Sequence, residues 1–296
     1  MLGFGGRYVL ANASPEGFEA ATEQLKRALV QAEAVVVGAG AGLSTAAGMT
    51  YGGKRFDELF AGFKNKYGFR DMYSGGFGPF ESLEEQWAFW SRSILCNRYT
   101  KAPGTAYDDL RATLDGKDYF VITTNVDHQF QLAGFDKDRL FYTQGDYGLW
   151  QCSVPCHDAT YDNEDVVRRM VAQQKDMKVP SQLVPHCPRC GKPMAMNLRA
   201  DDTFVEDAGW HAAQERYSRF VHSHERGRVL YLELGVGYNT PVIIKFPFWQ
   251  LTDQNPQAVY ACVNRGDCLA PSQIAGRSIL VDDDLAHVIS ELRNAR

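Results

Sequence analysis

The first strong signal in the chain is a short run with no polar position, Ala34-Val35-Val36-Val37, which stops at a glycine-rich segment. Apolar runs of this length bounded by glycine mark strands buried on both faces, as in a parallel sheet covered by helices on either side. The signature returns at 119–122, Leu140–Tyr142, Val229–Leu234, Val259–Val263 and Ser278–Val281. Between these runs the apolar positions take helical spacing. Leu25, Ala28 and Leu29 follow Ser14-Pro15, an N-cap with proline at the first helical position. A further helix is expected near Ser44, and Thr240-Pro241 reads as another helix start. The alternation predicts an α/β protein with a doubly wound, Rossmann-like parallel sheet, whose ligands bind beyond the carboxyl ends of its strands.

Two segments depart from the pattern. Residues 51–100 are first glycine-rich, then aromatic and helical, with Ser82 and Glu85 spaced as a capping box ahead of Trp87, Phe89 and Trp90. Residues 146–227 hold two cysteine pairs, proline-rich connections and a helix expected over 162–174. The expected organisation is therefore a main domain from 1–50, 101–145 and 228–296, and a smaller one from the 51–100 helical insertion and the 146–227 module.

Composition narrows the functional classes. Of 296 residues 45% are hydrophobic and 23% charged, so the chain can bury a core. The net charge of −5, with Lys and Arg scattered, gives no basic face for nucleic acid. No apolar run approaches the ~20 residues that span a bilayer. The first ten residues are too short in apolar length for a signal sequence, so the expectation is a cytoplasmic protein. Four of the seven cysteines fall in close pairs, Cys152-x3-Cys156 and Cys187-x2-Cys190, the spacing of two knuckles that together make a closed tetrahedral site for structural Zn2+. His157 and His186 flank the pairs and are expected to be solvated neighbours. Cys96, Cys262 and Cys268 read as small buried hydrophobes.

Three polar loops end three of the strands. Gly38-Ala39-Gly40-Ala41-Gly42-Leu43-Ser44 follows a strand and precedes a helix, so its backbone amides could approach phosphates; it is not the dehydrogenase fingerprint, because Leu43 stands where the third glycine belongs. Thr123-Thr124-Asn125-Val126-Asp127 places an amide, a carboxylate and two hydroxyls at the next strand end, and Gly235-Val236-Gly237-Tyr238-Asn239-Thr240-Pro241 forms the third.

In this order the motifs resemble the sirtuin family, and more narrowly its macrodomain-linked branch, class M. The segment Gly40 to Gly48 is similar to the sirtuin cofactor loop, and Thr123 to Asp127 to its Asn/Asp catalytic motif. The cysteine pairs fall where the family has its zinc module, and the similarity runs over about 34–281. The resemblance implies NAD as co-substrate, bound by Gly40, Ala41, Gly42 and Ser44, by Gly235, Val236 and Gly237 in place of the family's Gly-Thr-Ser, and by Asn264 and Arg265 at the adenosine ribose. It implies Asn125 at the nicotinamide ribose and Asp127 at the carboxamide. Deacylating sirtuins continue after the cofactor loop with Pro-Asp-Phe-Arg; here Thr50-Tyr51-Gly52-Gly53-Lys54-Arg55-Phe56 stands instead, implying Arg55 and Phe56 in those roles from a shifted loop.

The peptide-clamping Phe-Gly-Glu edge is replaced by Phe204-Val205-Glu206, and the general-base histidine by Gln144 before Gly145. Deacylation needs a proton acceptor in its second stage. A carboxamide has no useful basicity, which forfeits roughly 10²–10⁴ in rate, whereas cleavage at the nicotinamide ribose does not use that base. His128 is expected to be a solvated or capping side chain rather than a substitute base. The expected activity is NAD-dependent ADP-ribosyl transfer to a protein acceptor, with Asn125, Asp127 and Gln144 as the catalytic residues. Class M relatives are associated with lipoylated carrier proteins as acceptors and with a macrodomain hydrolase. The alternatives are a weak lysine deacylase and a non-catalytic nucleotide-sensing zinc-ribbon adaptor.

Overall fold

A computed structural model of the chain describes residues 6–12, 14–238 and 241–294. Its strands are β1 (Tyr8–Leu10), β2 (Ala34–Ala39), β3 (Asp118–Thr123), β4 (Leu140–Tyr142), β5 (Gly145–Cys152), β6 (Tyr161–Asp162), β7 (Met194–Leu198), β8 (Val229–Leu234), β9 (Val259–Val263), β10 (Leu269–Pro271) and β11 (Ser278–Val281). Six of them form one parallel sheet in the order β11-β9-β8-β2-β3-β4.

The apolar runs are continuous because both faces of this sheet are covered. Along β2, Val35, Val37 and Ala39 enter one core with Leu25 and Leu29 of the Pro15–Gln31 helix and Val288 of the Leu285–Asn294 helix. Ala34 and Val36 enter the other with Phe248 and Trp249 of the Lys245–Gln254 helix. The period of two thus sorts neighbours to opposite cores, each equally apolar. From β2 the chain proceeds to β3 on one side, and from its neighbour β8 to β9 on the other. The crevice between them is therefore the topological switch point, where ligands of such sheets bind.

A third core belongs to the small domain. It joins the helices Lys54–Leu59, Ala61–Tyr67, Met72–Gly76 and Leu83–Arg98 to the three-stranded sheet β6-β5-β7 and the Glu164–Gln173 helix. Aromatic rings fill it: Phe60 packs on Phe89 with centroids 4.7 Å apart, and Trp87 meets Trp150 edge-on at 5.0 Å. The 51–100 insertion and the cysteine-bearing strands thus share one interior. The Ala208–Ser223 helix does not join it; Trp210, Tyr217 and Phe220 pack on Phe120 and Phe141 of the main sheet.

Local expectations are adjusted at four places. Ser14 caps its helix through Gly17 N–H at 3.0 Å, as expected. The glycine loop turns helical at Ala41, three residues before Ser44, and that helix ends at Ala46. The Ser82 box is half formed: Ser82 accepts from Glu85 N–H, but the Glu85 carboxylate turns to Lys66 and Tyr67. The helix expected over 162–174 spans Glu164–Gln173. The helix expected at Thr240-Pro241 begins at Lys245, while Asn239 and Thr240 themselves lie outside the described residues. Among the described residues, no helix is long and apolar enough to cross a membrane.

Candidate active site

The carboxyl ends of β2, β3 and β8 open into a cleft of about 860 Å³ that also reaches the small domain. Gly40, Ala41, Gly42, Ser44, Asn125, Asp127, Gln144, Gly235, Val236, Gly237 and Asn264 all line it. The three polar strand ends therefore converge. Arg265 does not: it is 71% exposed, facing Asp283 and Asp284 at 3.7 and 3.8 Å. Arg55 and Phe56 are also placed elsewhere. The Arg55 guanidinium donates to Thr50 O, Cys96 O and Asn97 Oδ1, which fastens its helix to the Leu83–Arg98 helix, and Phe56 is fully buried in the small-domain core. Neither side chain is among those lining the cleft, since the guanidinium is engaged as an anchor between segments and the ring is packed among aromatics.

The two glycine loops touch backbone to backbone. Gly40 N–H donates to Leu234 O and Gly42 N–H to Gly235 O, each at 3.0 Å. A Cβ on Gly42 would fall 2.7 Å from Gly235 Cα, and one on Gly235, which has φ of 62°, would fall 2.6 Å from Gly42 Cα. The phosphate expectation changes accordingly. These two amides hold the neighbouring loop, and the glycines are required for that contact.

Asn125 and Asp127 are 8% and 4% exposed at the cleft floor. Asn125 Nδ2 donates to Gly40 O at 3.0 Å and lies 3.1 Å from Ser44 Oγ. Because the carbonyl can only accept, the amide's orientation is fixed, its N–H groups are taken, and Oδ1 is the atom left for a ligand. Asp127 accepts from Ser44 Oγ at 2.5 Å and from Gln129 N–H at 3.2 Å. Burial pushes its carboxyl above the ordinary carboxylate range, against the pull of those two donors.

His128 is not solvated, and although it holds the N-cap position of the Gln129–Leu132 helix its side chain makes no capping hydrogen bond. It is buried in left-handed backbone at φ of 57°, with Nδ1 2.9 Å from Asp146 Oδ2. Asp146 also accepts from Arg98 Nε at 2.8 Å. Burial opposes its ionisation, but the imidazole and guanidinium prevail and hold it at about 2. Gln144 sits between β4 and β5 with its side chain at the cleft and its carbonyl accepting from Arg199 N–H at 3.0 Å.

Sequence reading missed the opposite wall. Tyr51 and Tyr147 pair through their hydroxyls at 3.0 Å, and Trp90, Tyr73 and Phe77 continue an aromatic lining towards the mouth. The signal available was the run of aromatics among glycines at 67–80. Arg199 was missed as well; it lines the cleft while stacked over Phe204 at 4.4 Å and paired with Glu206. No local pattern marks it.

The cysteines assemble as their spacing implies. The sulfur atoms of Cys152, Cys156, Cys187 and Cys190 all lie within 4.8 Å of one another, with Cys152 to Cys190 at 3.5 Å and Cys156 to Cys187 at 3.7 Å. Tetrahedral zinc–thiolate bonds of ~2.3 Å put sulfurs roughly 3.8 Å apart, so the donor set fits structural zinc. Neither flanking histidine joins it. His157 bridges Cys156 Sγ and Tyr161 OH at 3.1 and 2.7 Å, and His186 Nδ1 lies against Val184 O. Cys187→Ser is expected to lose the metal and unfold the knuckles, because site formation contributes ~10–16 kcal/mol in small zinc-folded peptides. Metal analysis of the purified variant checks this; stoichiometric zinc in Cys187→Ser would refute the ligand assignment.

No family model matches the chain. It is similar to a protein ADP-ribosyltransferase of Staphylococcus aureus, at 42% identity over 274 residues, 92% of this chain and 87% of that protein. It is also 35% identical over 236 residues to a Fusarium oxysporum f. sp. cubense protein named probable bifunctional ADP-ribose hydrolase/ADP-ribosyltransferase, covering 74% of this chain but 38% of the fungal one. Among solved structures it is similar to Sir2 bound to acetylated peptide, at 20% identity and TM-score 0.57, and to Sir2 with a p53 peptide and NAD+, at 21% and 0.56. Each match covers 92% of this chain and 97% of the other. The fold is thus that of the sirtuins, and by sequence the chain belongs to the sirtuin-type protein ADP-ribosyltransferases.

Proposed function

We propose that the chain transfers ADP-ribose from NAD to a protein acceptor and releases nicotinamide. The observation that carries this reading is Gln144, a side chain without basicity, on the same cleft as the Asn125–Asp127 pair. In the reaction the bond between the ribose and nicotinamide breaks, nicotinamide leaves with the bonding electrons, and the anomeric carbon passes through an oxocarbenium-like state. The acceptor's nucleophilic atom then bonds to that carbon and gives up any proton it carries. Asp127, an anionic acceptor, holds the carboxamide N–H of nicotinamide, and Asn125 Oδ1 accepts from a ribose hydroxyl. Gln144 orients the ribose or the acceptor. Gly40, Ala41, Gly42, Ser44, Gly235, Val236, Gly237 and Asn264 enclose the rest of NAD.

The acceptor in this reading is a lipoylated carrier protein. The small domain's aromatic wall supports this, since Tyr73 and Phe77 at the mouth offer an apolar surface to a long acyl arm. A macrodomain hydrolase reversing the mark is supported by the fungal relative, whose name joins hydrolase and transferase. None of the seven cysteines is in a disulfide, and four are grouped as metal ligands, which suits a reducing compartment such as the cytoplasm.

Incubation with NAD labelled in its adenylate phosphate and a lysate containing lipoylated proteins tests the reading: label should become covalently bound to protein. Gln144→Ala should reduce that transfer roughly 2- to 15-fold, the range of one orienting hydrogen bond at ~0.5–1.5 kcal/mol, without abolishing nicotinamide release. Label remaining only in free ADP-ribose would count against a protein acceptor.

A further inference from the structure

Tyr107 has the local surroundings of a core aromatic. It is 2% exposed on the Ala106–Thr113 helix, its ring meets Phe130 edge-on at 4.9 Å, and it is not part of the cleft lining. Its hydroxyl nevertheless ends among the polar groups behind the cleft floor, 2.7 Å from Ser44 Oγ and 3.3 Å from Asn125 Nδ2.

The direction of each hydrogen bond follows from what each atom can do. The Asp127 carboxylate only accepts, so Ser44 gives its single proton to Asp127 Oδ2. Ser44 Oγ then has lone pairs alone to offer Tyr107, and the proton between them comes from the phenol. Burial first, and the neighbouring Asp127 charge second, push the phenol's ionisation well above the usual tyrosine value, so it stays a donor. The amide of Asn125 closes the network by donating to Gly40 O.

We propose that Tyr107 is a positioning residue for the reaction. The directed chain from Tyr107 O–H to Ser44 Oγ, and from Ser44 O–H to Asp127 Oδ2, holds the Asp127 carboxylate and the Asn125 amide in their working orientations, although Tyr107 touches neither substrate. This rests on the reading of Asn125 and Asp127 given above. The chain also favours the charged form of Asp127, because each donor is polarised towards the carboxylate. The other groups facing Asp127 are Gln129 N–H and the His128 imidazole, the Asp146 carboxylate from β5, and the Tyr51 and Tyr147 hydroxyls across the cleft. None of these donates to Ser44; the one further donor near Ser44 Oγ among the described residues is Asn125 Nδ2 at 3.1 Å, longer than the 2.7 Å of Tyr107 and shared with Gly40 O.

Tyr107→Phe keeps the ring and its packing and removes only the hydroxyl. The expected result is a fall of about tenfold in kcat for nicotinamide release, with KM for NAD within about twofold. The acid limb of the kcat profile should move to higher pH, since an ionised Asp127 deprived of its donor chain is harder to maintain. Ser44→Ala breaks the same chain, so adding Tyr107→Phe to it should cost little more. Carboxyl NMR titration of Asp127 in the ligand-free protein reads the relay without turnover, and its midpoint should rise in Tyr107→Phe. An unmoved Asp127 titration, or an unchanged kcat and pH profile, overturns the proposal. If the unmodified protein released no nicotinamide, the functional reading would fall, while the titration would still decide whether Tyr107 acts on Asp127.

Discussion

Asn125→Ala is expected to reduce nicotinamide release by about 10²–10³, the scale of removing a preorganised polar group from a reacting centre, while the protein still binds NAD. The geometry separates the two effects. Asn125 lies at the floor with Oδ1 free for a ligand, whereas the two crossing glycine loops that enclose the rest of the cleft are held to each other by backbone hydrogen bonds. Losing Nδ2 leaves Gly40 O without that donor, so a modest fall in stability, ~1–2 kcal/mol, should accompany the kinetic loss. Nicotinamide appearance followed by chromatography, with calorimetric titration of NAD, checks both halves. Turnover at the unmodified rate would show that the catalytic assignment is wrong.

Gly42→Val should have the opposite signature: NAD binding is lost together with turnover. A Cβ here must meet Gly235 Cα at 2.7 Å and Gly235 O at 2.9 Å, both backbone atoms, and a branched side chain adds to the clash. The loops can only separate, breaking the hydrogen bond from Gly42 N–H to Gly235 O. Overpacking of this kind costs ~1–3 kcal/mol, and parting the loops should weaken NAD affinity at least about tenfold. Thermal unfolding and NAD titration of the variant provide the check; unchanged affinity would mean that the contact between the loops is not needed to shape the cofactor site.

What could be read from the chain alone follows from where each signal resides. The six strands of the main sheet are contiguous in sequence and buried on both faces, so a run such as Val229–Leu234 declares itself without reference to its neighbours. The cysteine pairs are legible for a similar reason, since two ligands on one turn fix their spacing locally. Gly40, Asn125 and Gly235 could be read as strand-end residues because the fold class places such ends together.

The remainder depended on contacts between distant segments. Tyr107 has no distinguishing neighbour in sequence; its partners are Ser44 and Asn125, 63 and 18 residues away. Arg55 was expected at the cofactor because it stands in the shifted loop where the family has Pro-Asp-Phe-Arg, but the Leu83–Arg98 helix offers it the Cys96 carbonyl and the Asn97 side-chain oxygen, which turn it into an anchor. His128 was expected to be solvated or capping because it borders a helix start, and it lies buried with Nδ1 2.9 Å from Asp146 Oδ2, a contact that no spacing rule foretells. The Ala208–Ser223 helix, although it follows the cysteine module in sequence, packs on the main sheet because its aromatic face matches Phe120 and Phe141.

The proposed reaction, in which ADP-ribose passes to protein and acyl groups are left in place, turns on glutamine at position 144 of this cleft. It is tested most directly by one comparison at equal enzyme concentration: turnover of an acetyl-lysine peptide with NAD, against transfer of adenylate-labelled ADP-ribose from NAD to a lipoylated carrier protein. Label should appear on the carrier, with deacetylation slower by about 10²–10⁴ than in a sirtuin that has its general base. Rapid deacetylation with no label on any protein would contradict it.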